Sequence, residues 1–152
     1  MFKWFGKVNF SPYTKVTEFA QHLKDGYLMA SRCKECGAIS FPPRADCVEC
    51  MSPDFEFFEI SGKGTLHTFT RIVAAPTGFE DVVPYTVGVV DLEPAGTGRL
   101  LAWVGESFDE DEIEIGMEVQ VVPQIFDETE EIKVYYSLEK PDTTWSKTSS
   151  AM

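Results

Sequence analysis

Cys33-Lys-Glu-Cys36 and, after ten intervening residues, Cys47-Val-Glu-Cys50 contain the only four cysteines of the 152-residue chain. Two C-x-x-C knuckles a short loop apart can surround one ion tetrahedrally, because each knuckle turns tightly enough for both of its thiolates to face the same centre. The spacing predicts one structural zinc ion on Cys33, Cys36, Cys47 and Cys50. With sulfur in all four positions, no coordination site is open to water or substrate, so chemistry is not expected at the metal.

Disulfides and a redox C-x-x-C are the competing uses of these cysteines. The start, Met1-Phe-Lys-Trp-Phe-Gly-Lys-Val8, is interrupted by charge and has neither an apolar core nor a small-residue cleavage site. That argues against a secretory signal and for a cytoplasmic location in which thiols stay reduced. A thioredoxin-like motif would open a helix, whereas Gly37 after the first knuckle and the Pro42-Pro43 pair favour a ribbon of short strands. Iron in the same four-sulfur geometry is the alternative that the spacing leaves open.

Thirteen basic against 25 acidic residues give a net charge of −12 and a pI near 4.5. Such a balance repels phosphate backbones and opposes nonspecific nucleic-acid binding. Acid concentrates at Glu106 to Glu118 and at Asp127 to Glu131. No apolar run is long enough to span a bilayer as a helix.

Along the chain, Ser11-Pro12 offers an N-cap and a first-turn proline. Val16, Phe19, Ala20 and Leu23 then recur at helical spacing before Gly26. One short amphipathic helix is expected there, with His22 beside the stripe as a surface or packing residue rather than a ligand. From Phe55 onward the pattern becomes β: Phe55 to Ile60, Gly64 to Val73, Pro84 to Leu92, Arg99 to Gly105, Glu118 to Phe126 and Ile132 to Leu138 are rich in β-branched and aromatic residues. Strict alternation on the long second strand would put Leu66 and Ile72 on one face and His67, Phe69 and Arg71 on the other. Gly62 and Gly64 suit a bend where a barrel closes. The fold expected is mainly β: a short helix and a metal ribbon within residues 1–60, a five- to six-stranded antiparallel barrel over 61–140, and a flexible tail over 141–152.

The order of Arg32-Cys-Lys-Glu-Cys-Gly37, Phe41-Pro-Pro-Arg44, Cys47-Val-Glu-Cys50, Ser61-Gly-Lys-Gly64, Thr68-Phe-Thr70, Pro84-Tyr85 and Ile115-Gly-Met-Glu-Val119 resembles the family that joins a rubredoxin-like zinc ribbon to an OB-fold. The likeness runs from about Val16 to Leu138. Met51-Ser52 departs from it, since a glycine usually follows the second knuckle.

The resemblance implies a noncatalytic accessory subunit of a thiolase-like acyl-CoA enzyme, bound to the catalytic chain in a hetero-oligomer. Within the family, the small subunits that serve benzoylsuccinyl-CoA thiolysis in anaerobic toluene breakdown are similar to this chain. The residue inventory agrees, because thiolysis needs a nucleophilic cysteine and every cysteine here is assigned to metal. No catalytic residue is expected in this chain, and His67 has no nucleophile motif beside it.

A CoA contact would need cations for its phosphates and a flat apolar surface for its adenine. Arg44, Lys63 and Arg71, with Phe41 and Phe69, are the candidates. Phe2, Trp4, Phe5 and Phe10 near the start and Trp145 in the tail are candidate anchors in the core or on a partner. The alternative function is a nucleic-acid-binding OB-fold, which a basic or aromatic stripe on one barrel face would favour.

Overall fold

The computed structural model describes residues 14–126, 133–141 and 143, together with the backbone of two short strands at 4–5 and 8–9. Those strands, β1 (Trp4–Phe5) and β2 (Val8–Asn9), pair antiparallel. The side chains of Phe2, Trp4, Phe5, Phe10 and Trp145, and the Ser11-Pro12 pair, lie outside the described residues, as does all of the expected tail except 141 and 143.

The helix α1 is Glu18–Asp25, shorter than the run from Ser11 predicted. The chain enters it through a turn in which the Thr17 amide donates to the Thr14 carbonyl at 3.1 Å. Phe19, Ala20 and Leu23 face inward, Leu23 one helical turn beyond the other two. Gly26 ends the helix at φ 92°, and the amides of Gly26 and Tyr27 donate back to Leu23 and His22. Glycine is the residue that takes this left-handed cap without a Cβ penalty. His22 packs edge-on against Phe57 with ring centroids 5.3 Å apart, as a packing residue should.

Three strands form the ribbon sheet in the order β4-β3-β5: β3 (Met29–Cys33), β4 (Ile39–Ser40) and β5 (Phe55–Glu59). The first strand expected after the cysteines therefore belongs to the ribbon. The barrel has five strands: β6 (Lys63–Ile72), β7 (Tyr85–Leu92), β8 (Arg99–Val104), β9 (Glu118–Phe126) and β10 (Lys133–Glu139), closed in the order β10-β8-β7-β6-β9.

Two expectations are corrected by this topology. The barrel is not wholly antiparallel, because β8 and β10 close it in parallel, Ser137 opposite Trp103 and Leu138 opposite Val104. After β8 the chain crosses through a single 3-10 turn, Glu110–Glu112, and β9 joins β6, so β10 returns beside β8 in the same direction. Alternation on β6 also fails midway. A bulge between Leu66 and Thr68 makes Leu66 pair with Val90 and Thr68 with Val89, leaving His67 as the extra residue. One inserted residue exchanges the two faces. Phe69 and Arg71 consequently share the inward row of Leu66, and Ile72 turns outward.

Helix, ribbon and barrel share one apolar core, built from Phe19, Leu23, Leu28, Phe41, Leu66, Val90, Leu100, Val121, Val134 and Leu138 among others. The joint between ribbon and barrel is tight at Gly62, φ 74°, where an added Cβ would lie 2.5 Å from Leu28 Cδ1 and 2.7 Å from the Val121 carbonyl oxygen. No helix among the described residues is long and apolar enough to cross a membrane.

Candidate metal centre

The two knuckles are built alike. Cys33 ends β3, and the Gly37 amide donates to the Cys33 carbonyl at 3.0 Å, while the Met51 amide donates to the Cys47 carbonyl at 3.0 Å. Both turn residues are left-handed, Gly37 at φ 76° and Met51 at φ 62°. The four Sγ atoms lie within 4.8 Å of one another, with Cys33 to Cys50 at 3.6 Å and Cys36 to Cys47 at 3.5 Å. Zinc–sulfur bonds of about 2.3 Å in a regular tetrahedron require sulfurs about 3.8 Å apart, so the cluster fits the ion.

The protonation chemistry points the same way. Backbone amides at Cys36 and Glu35 draw the Cys33 thiol down to about 6. Against the pull of the Ser52 amide, the neighbouring Cys33 and Cys36 sulfurs push the Cys50 thiol up to about 12. Four sulfurs this close cannot all ionise unless a cation balances them, and a dication that binds thiolate does so.

Met51 occupies a conformation that glycine adopts freely, and its side chain is 75 % exposed, so little packing offsets the backbone cost. Met51→Gly is expected to raise the unfolding free energy of the metal-loaded protein by about 1 kcal/mol. Chemical denaturation of the two forms measures this, and a less stable glycine variant would refute it.

The candidate CoA residues are not one cluster. Lys63 and Arg71 stand at opposite ends of β6, roughly 26 Å apart at about 3.3 Å per residue, too far for one phosphate group. Arg71 pairs with Glu110 at 2.6 Å. Arg44 is exposed in the ribbon, its backbone amide donating to Ser31 Oγ at 3.2 Å. Phe41 is buried, edge-on to Phe19 at 5.7 Å and tilted against Tyr136 at 5.9 Å, and has no face free for an adenine. Phe69, opposite Gly88 and 37 % exposed, keeps one.

His67 projects from the bulge with Nδ1 2.9 Å from Asp91 Oδ2, and Arg99 Nε donates to Asp91 Oδ1 at 2.6 Å. Arg99, with His67, holds the Asp91 carboxyl below the usual carboxylate range. Histidine and carboxylate are thus oriented, but no cysteine stands beside them, since all four converge at the metal cluster.

Sequence reasoning missed an aromatic row on the barrel wall. Tyr85 and Trp103 stack with centroids 4.9 Å apart and 20° between planes, and Tyr135 lies 6.5 Å from Trp103. The signal was present: β7 and β8 are apolar on both faces, with Leu101 and Trp103 alternating with Leu100 and Ala102. A strand exposed on one side usually alternates apolar with polar.

Known proteins share this architecture. The family model of the ChsH2 rubredoxin-like zinc ribbon domain matches residues 20–56, and that of the ChsH2 C-terminal OB-fold domain matches residues 58–124. A DUF35 domain-containing scaffold protein of Methanothermobacter thermautotrophicus is 34 % identical over 134 residues, covering 86 % of this chain and 98 % of that one. Benzoylsuccinyl-CoA thiolase subunit BbsA of Thauera aromatica is 35 % identical over 66 residues, 43 % of this chain and 44 % of the relative. Among solved structures, the Ltp2-ChsH2(DUF35) aldolase superposes with a TM-score of 0.64 at 25 % identity, over 80 % of this chain and 91 % of the other.

Proposed function

The chain belongs to the DUF35 family, in which a zinc ribbon is joined to an OB-fold barrel, and on that premise we propose that it is a noncatalytic accessory subunit of a thiolase-like acyl-CoA enzyme. The observation that carries the reading is the convergence of every cysteine of the chain on one closed cluster. Thiolytic cleavage needs a cysteine nucleophile, which a second chain would then supply. The likeness to a thiolase subunit and to a DUF35-containing aldolase supports that arrangement. One zinc ion holds the ribbon, and a cytoplasmic setting, in which four thiols stay reduced, belongs to the same proposal.

The finer part of the proposal concerns substrate. The acyl group is assigned to the class of the BbsA relative, benzoylsuccinyl-CoA. Contact with the CoA phosphates falls to Arg44 and Lys63, which have no ion-pair partner among the described residues, with Phe69 as the exposed ring. Arg71, held by Glu110, and buried Phe41 take no part.

The test mixes the purified chain with the purified thiolase-superfamily chain that accompanies it. The chain alone is expected to cleave no acyl-CoA, and the mixture to gain thiolysis. Turnover by the chain alone would sink the reading. In the same assay Arg44→Ala and Lys63→Ala should raise the apparent KM for the CoA substrate by about tenfold or more, with kcat less affected, because a charge-assisted hydrogen bond contributes roughly 1.5–3 kcal/mol. Wild-type kinetics in both variants at subsaturating CoA would remove the CoA contact and leave scaffolding.

A further inference from the structure

The outer wall of the barrel is apolar on β7 and β8 and at the end of β6, where Thr68 and Thr70, opposite Val89 and Val87, give way to Ile72. Beyond the bulge, Ile72 of β6 faces outward opposite Tyr85 of β7, and Val87 and Val89 of β7 stand opposite Trp103 and Leu101 of β8. Directly opposed residues in an antiparallel pair share a face, so these six side chains form one continuous strip. Leu101 is 63 % exposed, and Val73, just past the end of β6, is 71 % exposed. Elsewhere on the outside of the barrel, Val122 of β9 and Ser137 and Glu139 of β10 are buried. That side is covered, and the wall of β6, β7 and β8 is open.

An open sheet face is ordinarily polar. A flat face gives a small molecule no enclosure, so a macromolecule is the fitting occupant. Charge decides which. The segment that follows β8 carries Glu106, Asp109, Glu110, Asp111, Glu112 and Glu114. Among the described residues only Glu110 and Glu112 have cations, Arg71 and Lys140 at 2.6 Å each. This segment begins two residues beyond the end of β8, at the Trp103 end of the strip, while Glu110 itself pairs with Arg71 of the inward row. Glu106 lies close enough to Tyr135 that it adds, after burial, to what pushes that phenol up to about 12. At the opposite end, Asp91 is paired with Arg99 at 2.6 Å and hydrogen-bonded to His67 at 2.9 Å.

A strip with an acidic rim repels nucleic acid and anionic lipid. It also disfavours a second copy, because a two-fold contact lays the same rim against itself in molecules that each carry a charge of −12. We propose that the outer wall of β6, β7 and β8 is the surface on which the catalytic subunit docks, and that this subunit meets it with an apolar patch flanked by Lys or Arg. The proposal rests on the accessory-subunit reading and adds to it the face used and the chemistry of the opposing face. The Tyr85–Trp103 stack stands at one end of the strip as a rigid aromatic anchor, the residue class that dominates binding energy at interfaces.

The test compares Leu101→Lys, a change at an exposed position, with Met51→Lys on the exposed ribbon knuckle as a control. Each full-length, zinc-loaded chain is titrated into the purified thiolase-superfamily subunit. Leu101→Lys is expected to weaken binding by about 100-fold or more while metal content and thermal midpoint hold, and Met51→Lys to bind as wild type does. Raising the salt should weaken the wild-type complex by screening the acidic rim from the basic flank of the partner. Unchanged affinity in Leu101→Lys would overturn the docking face and leave the accessory role standing. If the wild-type chain does not bind the subunit, the accessory reading fails first and the face with it. Self-association abolished by Leu101→Lys, or retention of single-stranded DNA by the wild-type chain but not the variant, would overturn the proposal in favour of a second copy or a nucleic acid.

Discussion

Replacing Cys36 with Ser is expected to release the metal and unfold the ribbon. A serine hydroxyl does not ionise at neutral pH, so the variant offers three thiolates where the closed site needs four. Apparent binding free energies of structural zinc in small peptides are about 10–16 kcal/mol at pH 7, and in a ribbon this short that energy is folding energy. The damage should spread beyond the knuckles, because Leu28 and Phe41 carry the ribbon into the core shared with the barrel. Elemental analysis should find one zinc per wild-type chain, and a visible absorption band with a red colour would mark iron instead. Acid should mimic the substitution, since ligation requires thiolates and protons displace the ion as pH falls. Metal-free protein with an unchanged thermal midpoint would end the structural-zinc account.

Phe41→Ala should be the most damaging change away from the metal. The ring is 4 % exposed and lies between Phe19 of the helix and Tyr136 of the barrel while belonging to the ribbon, so it ties three parts of the chain together. Truncating a fully buried phenylalanine costs about 3–5 kcal/mol, through lost transfer free energy and the cavity that remains. Phe41→Leu, which keeps most of the volume, should cost about 1.5 kcal/mol or less. Denaturant unfolding of the three proteins gives both numbers. A cost below about 1 kcal/mol for the alanine variant would mean that the ring is not the wedge it is described as, and would reopen its use as a ligand surface.

The reach of sequence reasoning differed from residue to residue. The cysteine cluster was legible because ligand spacing is a local property: two tight knuckles and ten residues between them leave few ways to place four sulfurs. Strand positions were legible because turns are marked by Gly, Pro and acidic runs, and the ends of β6, β7 and β8 fall within a residue of expectation. The burial of Phe41 was not legible, because its ring packs on Phe19, 22 residues earlier, and on Tyr136, 95 residues later.

By itself the sequence determined the metal-binding ribbon, the helix stripe of Phe19, Ala20 and Leu23, and the run of short strands, since each follows from spacing within a few neighbouring residues. Only the tertiary structure decided which face each barrel residue takes. The bulge at His67 exchanges inside and outside along β6, and the parallel pairing of β10 with β8 brings Tyr135 beside Trp103, so both depend on register between strands far apart in the chain. Register is set by which partner strand offers matching hydrogen bonds and by what packs behind it, and neither is written in the alternation of one strand alone.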